Sequence, residues 1–496
     1  MRKPLKTKMK IVGRTLISIV LLGILLSVIS CAVNPVTGQQ ELMLLSEPDE
    51  IRLGRKTDVQ IAQTYGIYDD PDLMAYIEGL GQRIARGSHR PHLSFEFKIL
   101  DSPVVNAFAV PGGYIYVSRG ILSYLNSEAE LAGVIGHEIG HVAARHSAQQ
   151  YSRAQLAQLG LGLGIVLSED FRQYAGLAQF GVGMMFLRFS RDNERQADDL
   201  GVEYATKAGF DASQMAAFFS TLERLHPSSD QSGLPGWFST HPNPPDRIRA
   251  VQRKSREWTR RLGARELQVN RNAYLRRIEG LVFGEDPRQG YVADQVFYHP
   301  GLRFQFPVPS DWKLNNTPAQ VQMVSRRKDA AILFSVGKAS SPGAAAREFV
   351  ARADASVIRF DAIRVNDLPA QQVISDISSQ QGTTRVMSWF ISKDERVFVF
   401  HGFTSQAMFE RYGSAFRATM GGFATLTDPK RINVRPDRIR IRATGSAGIL
   451  KEVLRSLGVP DNKLKEMALL NGRDVGDWIA AHSLLKVVEK GREGQS

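Results

Sequence analysis

Residues 136–141, GHEIGH, place two histidines and a glutamate inside an otherwise apolar run, ELAGVI ahead of them and VAA behind. On a helix, residues four apart lie one above the other on the same face, so His137 and His141 can hold one metal ion together. Neutral imidazoles suit zinc, and a hydrolytic zinc site needs a third protein ligand and an open fourth position. Glu138, next to the first histidine, can take a proton from a water that the metal has made acidic.

The third ligand is offered by Glu194 in FSRDNERQADDLGVEYATKAG, a second helical stretch on which Glu194 and Asp198 are again four apart. Glu194 can reach the metal while Asp198 accepts the other ring N–H of a ligand histidine and fixes its tautomer. Alone, such a pair reads as a solvated helix face; beside GHEIGH the metal reading prevails. His146 falls on a different helical face from His137 and reads as a polar helix-end residue. His89, His92, His226, His299, His401 and His482 show no partner pattern.

Several elements must hold these groups in place. The histidine helix is expected over SEAELAGVIGHEIGHVAARHSAQQ, with Ser127 able to cap it and Glu128 and Glu130 suited to its positive end. One strand pair is expected around FEFKILDS and AFAVPGGYIYVS, and a helix after Ser46, where Ser46 and Asp49 have capping-box spacing and Pro48 suits a first turn. The run LGLGLGIVL, 159–167, reads as a flexible or buried helix near the site, in preference to a membrane contact.

A chain of 496 residues is long enough for two or three domains with a real core. The first fourteen residues carry Arg2, Lys3, Lys6, Lys8, Lys10 and Arg14 with no acid, and Leu16 to Ile29 is almost wholly apolar. That is a secretory signal pattern, shorter than the roughly 20 residues of a spanning helix. It ends at VISC, which resembles a bacterial lipobox, so Cys31, the single cysteine, is expected to carry lipid. Ala32 after it, by the same resemblance, favours the outer membrane. Without residues 1–30 the net charge drops from +13 by six basic residues to +7. No basic run is interleaved with aromatics, which argues against nucleic acid.

With GHEIGH and the later Glu194–Asp198 pair, two further motifs, NAFAVPGG at 106–113 and STHPNPPDRI at 239–248, occur in a familiar order. Together they resemble the zincin-like metallopeptidases that include the CAAX prenyl endopeptidase, HtpX and Oma, above all the periplasmic BepA/LoiP type, over roughly residues 34–253. The resemblance implies one Zn2+ on His137, His141 and Glu194, Glu138 as base and proton donor, and Asp198 behind the ligands. It implies an edge strand beginning at Asn106 that pairs an extended substrate, and His241 as a gate on the metal; His241 or Arg247 could instead stabilise the oxyanion.

The expected fold is α+β: a mostly helical zincin-like (gluzincin) peptidase domain with a small edge-strand sheet at 51–255, after a signal at 1–30 and a lipid-anchored tether at 31–50. A helical linker at 256–297, a small α+β accessory domain at 298–427, weakly similar to the PsbP type, and a LysM-like module at 430–496 follow. The functional expectation is an outer-membrane lipoprotein facing the periplasm, a zinc endopeptidase for unfolded or misassembled envelope proteins. The alternative is a latent or non-catalytic chaperone or assembly factor for outer-membrane proteins. Outer-membrane assembly machinery or peptidoglycan are the expected further partners. BepA-type relatives end in helical repeats, and no repeat of that kind is found in this sequence.

Overall fold

Ser46 accepts a hydrogen bond from the Asp49 backbone N–H, and the Asp49 carboxylate accepts one from the Ser46 backbone N–H, so the capping box starts helix α1 (Glu47–Tyr65) where the sequence predicts it. This is seen in a computed structural model that describes residues 31–158, 189–225, 236–242, 246–263, 266–337, 339–379 and 382–491. The signal segment, the glycine-rich run at 159–167 and His226 lie outside the described residues. Among the described residues no helix is long and apolar enough to cross a membrane.

The stretch expected as a tether is folded against the body. Strand β1 (Cys31–Val33) pairs antiparallel with β2 (Gln40–Leu42), the buried Asn34 side chain donates to Ala144 O, and the Leu44 N–H donates to Ser152 Oγ at 2.9 Å. Helix α2 (Pro71–Ala85) follows. Where the sequence predicts one strand pair, three strands form: β3 (Glu96–Leu100) runs parallel to β5 (Tyr114–Ser118), which pairs antiparallel with β4 (Ala107–Val110). The hairpin turns at Pro111-Gly112-Gly113, with φ of 85° and 97° at the two glycines, values that glycine adopts freely. A side chain at Gly112 would also meet the α1 backbone, 2.8 Å from Ile51 Cα.

Short helix α3 (Arg119–Tyr124) leads to α4 (Glu128–Ala143), capped by Ser127, with every residue from Ala129 onward buried. Arg145, at φ 59°, breaks the chain between α4 and α5 (His146–Gln158). Helices α6 (Arg191–Lys207), α7 (Gln214–Arg224), the single turn α8 (Trp237–Thr240) and α9 (Arg247–Arg261) complete this body. Ile77, Ile135, Ile139, Val202, Phe218 and Trp237 share its core. Helix α10 (Arg271–Arg277) belongs to the same core: Tyr274, Leu275 and Ile278 are fully buried, and Tyr274 Oη donates to Leu122 O at 2.6 Å. The 256–297 stretch expected as a linker is therefore in good part packed structure.

The following body is a seven-stranded antiparallel sheet and a four-stranded one. In chain order come β6 (Tyr291–Ala293), β7 (Val296–His299), β8 (Phe304–Pro307), β9 (Lys313–Asn316), β10 (Gln320–Val324), β11 (Ala330–Gly337), helix α11 (Pro342–Arg352), β12 (Ser356–Val365), β13 (Leu368–Ser379), β14 (Gly382–Lys393), β15 (Arg396–Ser405), helix α12 (Phe409–Gly421) and β16 (Ala424–Thr425). The large sheet has the order β12-β13-β14-β15-β11-β10-β9, the small one β16-β8-β7-β6. Alternation gives the large sheet two apolar faces: α11 packs Ala346 with Val373, Phe390 and Val399, and α12 packs Phe416 and Met420 with Met387 and Phe400.

At the end of the chain, β17 (Arg438–Ala443) pairs with β20 (Leu484–Glu489), and β18 (Gly448–Ile449), α13 (Leu450–Ser456), α14 (Leu464–Leu470) and β19 (Trp478–Ile479) lie between them in sequence. An outer strand pair and a short inner one thus enclose two helices. Lys486 is fully buried and donates to Ser123 O at 2.7 Å and Leu125 O at 2.8 Å, so the C-terminal strand grips the loop from which the histidine helix starts.

Candidate active site

The glycines of GHEIGH decide how closely a second helix can approach. A Cβ on Gly136 would sit 2.9 Å from Gly201 O, one on Gly140 3.1 Å from Ala197 O, and one on Gly201 2.8 Å from His137 N. With hydrogens in those places, α6 crosses α4 backbone to backbone. That contact carries Glu194, fully buried, to the two histidines: His137 Nε2 and His141 Nε2 are 3.0 Å apart, and Glu194 Oε1 is 3.4 Å from His141 Nε2. Asp198 Oδ1, one turn on, lies 2.9 Å from His137 Nδ1, close but off the line of a straight hydrogen bond.

His241, just past α8, closes the group. Its ring stacks on Trp237 at 4.4 Å, its Nδ1 lies 3.1 Å from Glu194 Oε1 and 3.3 Å from His137 Nε2, and its Nε2 reaches Ala107 O of β4 at 3.3 Å. His137, His141, Glu194 and His241 offer donor atoms all within 4.8 Å of one another, and all four residues are buried. Burial holds the His137 ring well below its ordinary pKa and His141 down to about 3, so both stay neutral, the form that ligates metal. Burial alone would raise Glu194; the nearby His241 and His141 outweigh it and keep the carboxylate ionised. Two facing ring nitrogens, a third imidazole and a buried carboxylate whose Oε2 makes no hydrogen bond fit a zinc ion.

Residues 71–255 match peptidase family M48. The chain carries an M48 peptidase domain. Over 222 residues, 43% of this chain and 45% of the relative, it is 29% identical to the β-barrel assembly-enhancing protease of Escherichia coli. The mitochondrial metalloendopeptidase OMA1 of Schizosaccharomyces pombe is 31% identical over 235 residues, 45% of this chain and 65% of the relative. The chain spans less than half the length of the β-barrel assembly-enhancing proteases it matches. Among solved structures, cyanobacterial PsbP from Synechocystis covers 26% of this chain and 91% of its own at 10% identity, with a TM-score of 0.24, too low to define the fold of that part.

Within the M48 domain, Glu138 follows His137 with both carboxylate oxygens buried and without a full hydrogen bond; His241 Nε2 is 3.6 Å from Oε1. Burial pushes this carboxyl up to about 7. Arg247 lies behind the four-donor group, against Glu194 and Asp198. It stacks on Phe219 at 3.8 Å, donates to Asp198 Oδ1 at 2.7 Å and approaches Glu194 Oε2 at 3.4 Å. Asp198, raised to about 6 by burial against the pull of Arg247, stands between that guanidinium and His137. Asn106 is buried just before β4, where its N–H donates to Ser118 Oγ at 3.2 Å and its carbonyl accepts from Ser118 N at 3.0 Å.

His146 is a helix-end residue as read, the first of α5, but its placement on a face away from the site needs correction. His146 is buried, its Nδ1 lies 2.9 Å from His141 Nδ1 and its Nε2 2.9 Å from Gln196 Oε1. A face count along one continuous helix misses this, because the left-handed Arg145 breaks the helix and turns the His146 ring back toward His141. Phe189, which stacks on His141 at 4.1 Å, and Trp237 were also missed. Both had a legible signal: Phe189 precedes the cap Ser190, and Trp237 stands four residues before His241.

Proposed function

We propose that this protein is a zinc endopeptidase that hydrolyses peptide bonds of unfolded or misassembled envelope proteins; the observation that carries this reading is the fully buried Glu138 carboxylate, without a full hydrogen bond and 3.6 Å from His241, next to the four-donor group. His137, His141 and Glu194 would hold the ion, with Asp198, Arg247 and His146 orienting its ligands. When bound, zinc supplies a Lewis acid that polarises the peptide carbonyl and makes water nucleophilic near neutral pH. Glu138 takes the proton from the attacking water as its oxygen bonds to the carbonyl carbon. It returns that proton to the amide nitrogen as the C–N bond breaks. A carboxyl poised near 7 by burial suits both duties.

β4 lies at the end of its three-stranded sheet and would pair an extended backbone by strand addition from Asn106 onward, which requires an unfolded substrate or an exposed strand. An outer-membrane, periplasm-facing location rests on the VISC signal and Cys31, and is in keeping with the name of the Escherichia coli relative, a β-barrel assembly-enhancing protease. In purified protein, cleavage of unfolded casein should be abolished by chelation and restored by stoichiometric zinc; cleavage that survives complete removal of the metal would overturn the proposal.

A second reading, a latent enzyme or assembly factor, is favoured by one observation. His241 occupies Ala107 O on the substrate strand, Ser147 Oγ takes Ala109 O at 3.1 Å, and the Trp237 N–H donates to Val105 O. We therefore assign His241 as a gate and Arg247 as the residue that positions Glu194 and Asp198. His241→Ala is expected to raise basal casein cleavage about tenfold, a relief of roughly 1.4 kcal/mol. A fall of that size would favour the oxyanion role instead. The strand, helix, helix, strand segment at the C-terminus supports a LysM-like module for peptidoglycan, tested by retention of the protein on purified sacculi with Trp478→Ala as the control.

A further inference from the structure

Large apolar side chains exposed to solvent are concentrated on one strand: Val357, Ile358 and Phe360, at 46%, 54% and 40% exposure, are near neighbours on β12. β12 ends the seven-stranded sheet and, among the described residues, pairs with β13 alone. Along this ten-residue strand the donors and acceptors of alternate residues therefore lie on its outer edge, the pattern that recruits another strand. Two devices that blunt such edges are present. The register shifts between Val357 and Arg359, leaving Ile358 without a partner on β13, and Arg359 and Asp361 place charges in mid-strand, paired with each other.

Those two charges decide the occupant. We propose that the outer edge of β12 takes β12 of a second copy of this chain, antiparallel, with Phe360 opposite Phe360. In that register Arg359 of each copy stands opposite Asp361 of the other, on the same face of the joined sheet, and each contact occurs twice about the two-fold axis. Ile358 then faces Ala362, and Val357 faces Ile363. A slip of one residue sets Asp361 against Phe360 or Arg359 against Phe360; a slip of two sets Arg359 against Arg359 or Asp361 against Asp361. Only the centred register satisfies both charges. The occupant is thus the strand itself, and the mid-strand charges act as a register key for this pairing.

One strand pair lies below the roughly 1,200 Å² of small specific interfaces, so the dimer depends on concentration. Sedimentation equilibrium of the full chain in detergent should show monomer and dimer exchanging as concentration rises. Arg359→Asp and Asp361→Arg, each alone, should weaken association at least tenfold. An equimolar mixture of the two variants should recover it, because a strand with acids at both positions then meets a strand with arginines at both; recovery also certifies that both variants fold. Phe360→Cys should form a disulfide-linked dimer on mild oxidation beyond any linkage through Cys31 in the unaltered chain. A monomer at every concentration, association untouched by the single variants, or no recovery on mixing would each overturn the proposal, as would a monomer that captures an unrelated β-strand peptide on this edge.

Discussion

Glu138→Gln is expected to lower kcat on casein by roughly 10²–10⁴-fold, the range of a lost general base, with zinc content unchanged. Glutamine matches glutamate in shape but has no basic oxygen to accept the water's proton. The change leaves in place the contacts that His137, His141, Glu194 and His241 make with one another. The direction of the stability change separates chemistry from damage. Burial pushes the Glu138 carboxyl up to about 7, so above that pH the fold holds a buried charge that the unfolded chain would expose to water. A raised folded pKa means that stability is lost as pH climbs from the ordinary carboxyl value through 7. The neutral amide removes that loss, and Glu138→Gln should melt at or slightly above the wild-type temperature at about pH 8. Equal zinc, an equal or higher Tm and lost cleavage together identify the base; cleavage within threefold of wild type would remove Glu138 from that role.

The site was legible because its chemistry is local in sequence. His137, Glu138 and His141 come together by helix period alone, and Glu194 and Asp198 repeat the four-residue spacing on a second helix. Two element starts were legible for the same reason: Ser46 and Ser127 cap α1 and α4 through their own side chains. What was not legible is carried by contacts distant along the chain or by backbone breaks. The His146 ring turns on the φ of Arg145. The parallel pairing of β3 with β5 cannot be told from a hairpin by alternation, since both give period two. The chain after Arg261 looked like a connector because its charged residues hide Tyr274, Leu275 and Ile278, whose burial depends on a core built by residues far upstream. The glycines of GHEIGH carry no signal of their own in the sequence. Their purpose appears only when α6 is laid against them.

Glu50→Gln is expected to cost about 3–5 kcal/mol of stability, the range for removing one partner of a buried ion pair. Glu50 is 1% exposed and sits between two buried guanidiniums, with Oε2 3.0 Å from Arg90 Nη2 and Oε1 against Arg145 Nε. Arg90 keeps a second acid, Glu47, at 2.7 Å, so the unpaired charge is chiefly that of Arg145. Arg90 finishes the histidine helix, its Nη1 donating to Val142 O at 3.0 Å, and Arg145 ties the chain after that helix to the start of α1, its Nη2 donating to Leu45 O at 2.8 Å. Val142 follows His141 directly, and His146 follows Arg145, so the loss falls on the segment that holds the His141 ring from behind. Amide exchange at Val142 to Arg145 should therefore quicken by about two orders of magnitude, as a local cost near 3 kcal/mol implies, and zinc should be released at lower chelator concentration. The control is Glu348→Gln, which removes the exposed pair with Arg352 on α11 and should change stability by no more than about 0.5 kcal/mol. If the two variants shift the urea midpoint alike, the Glu50 network does not hold the helix end; if only Glu50→Gln loosens both the amides and the metal, α1 is part of the machinery that keeps His141 in place.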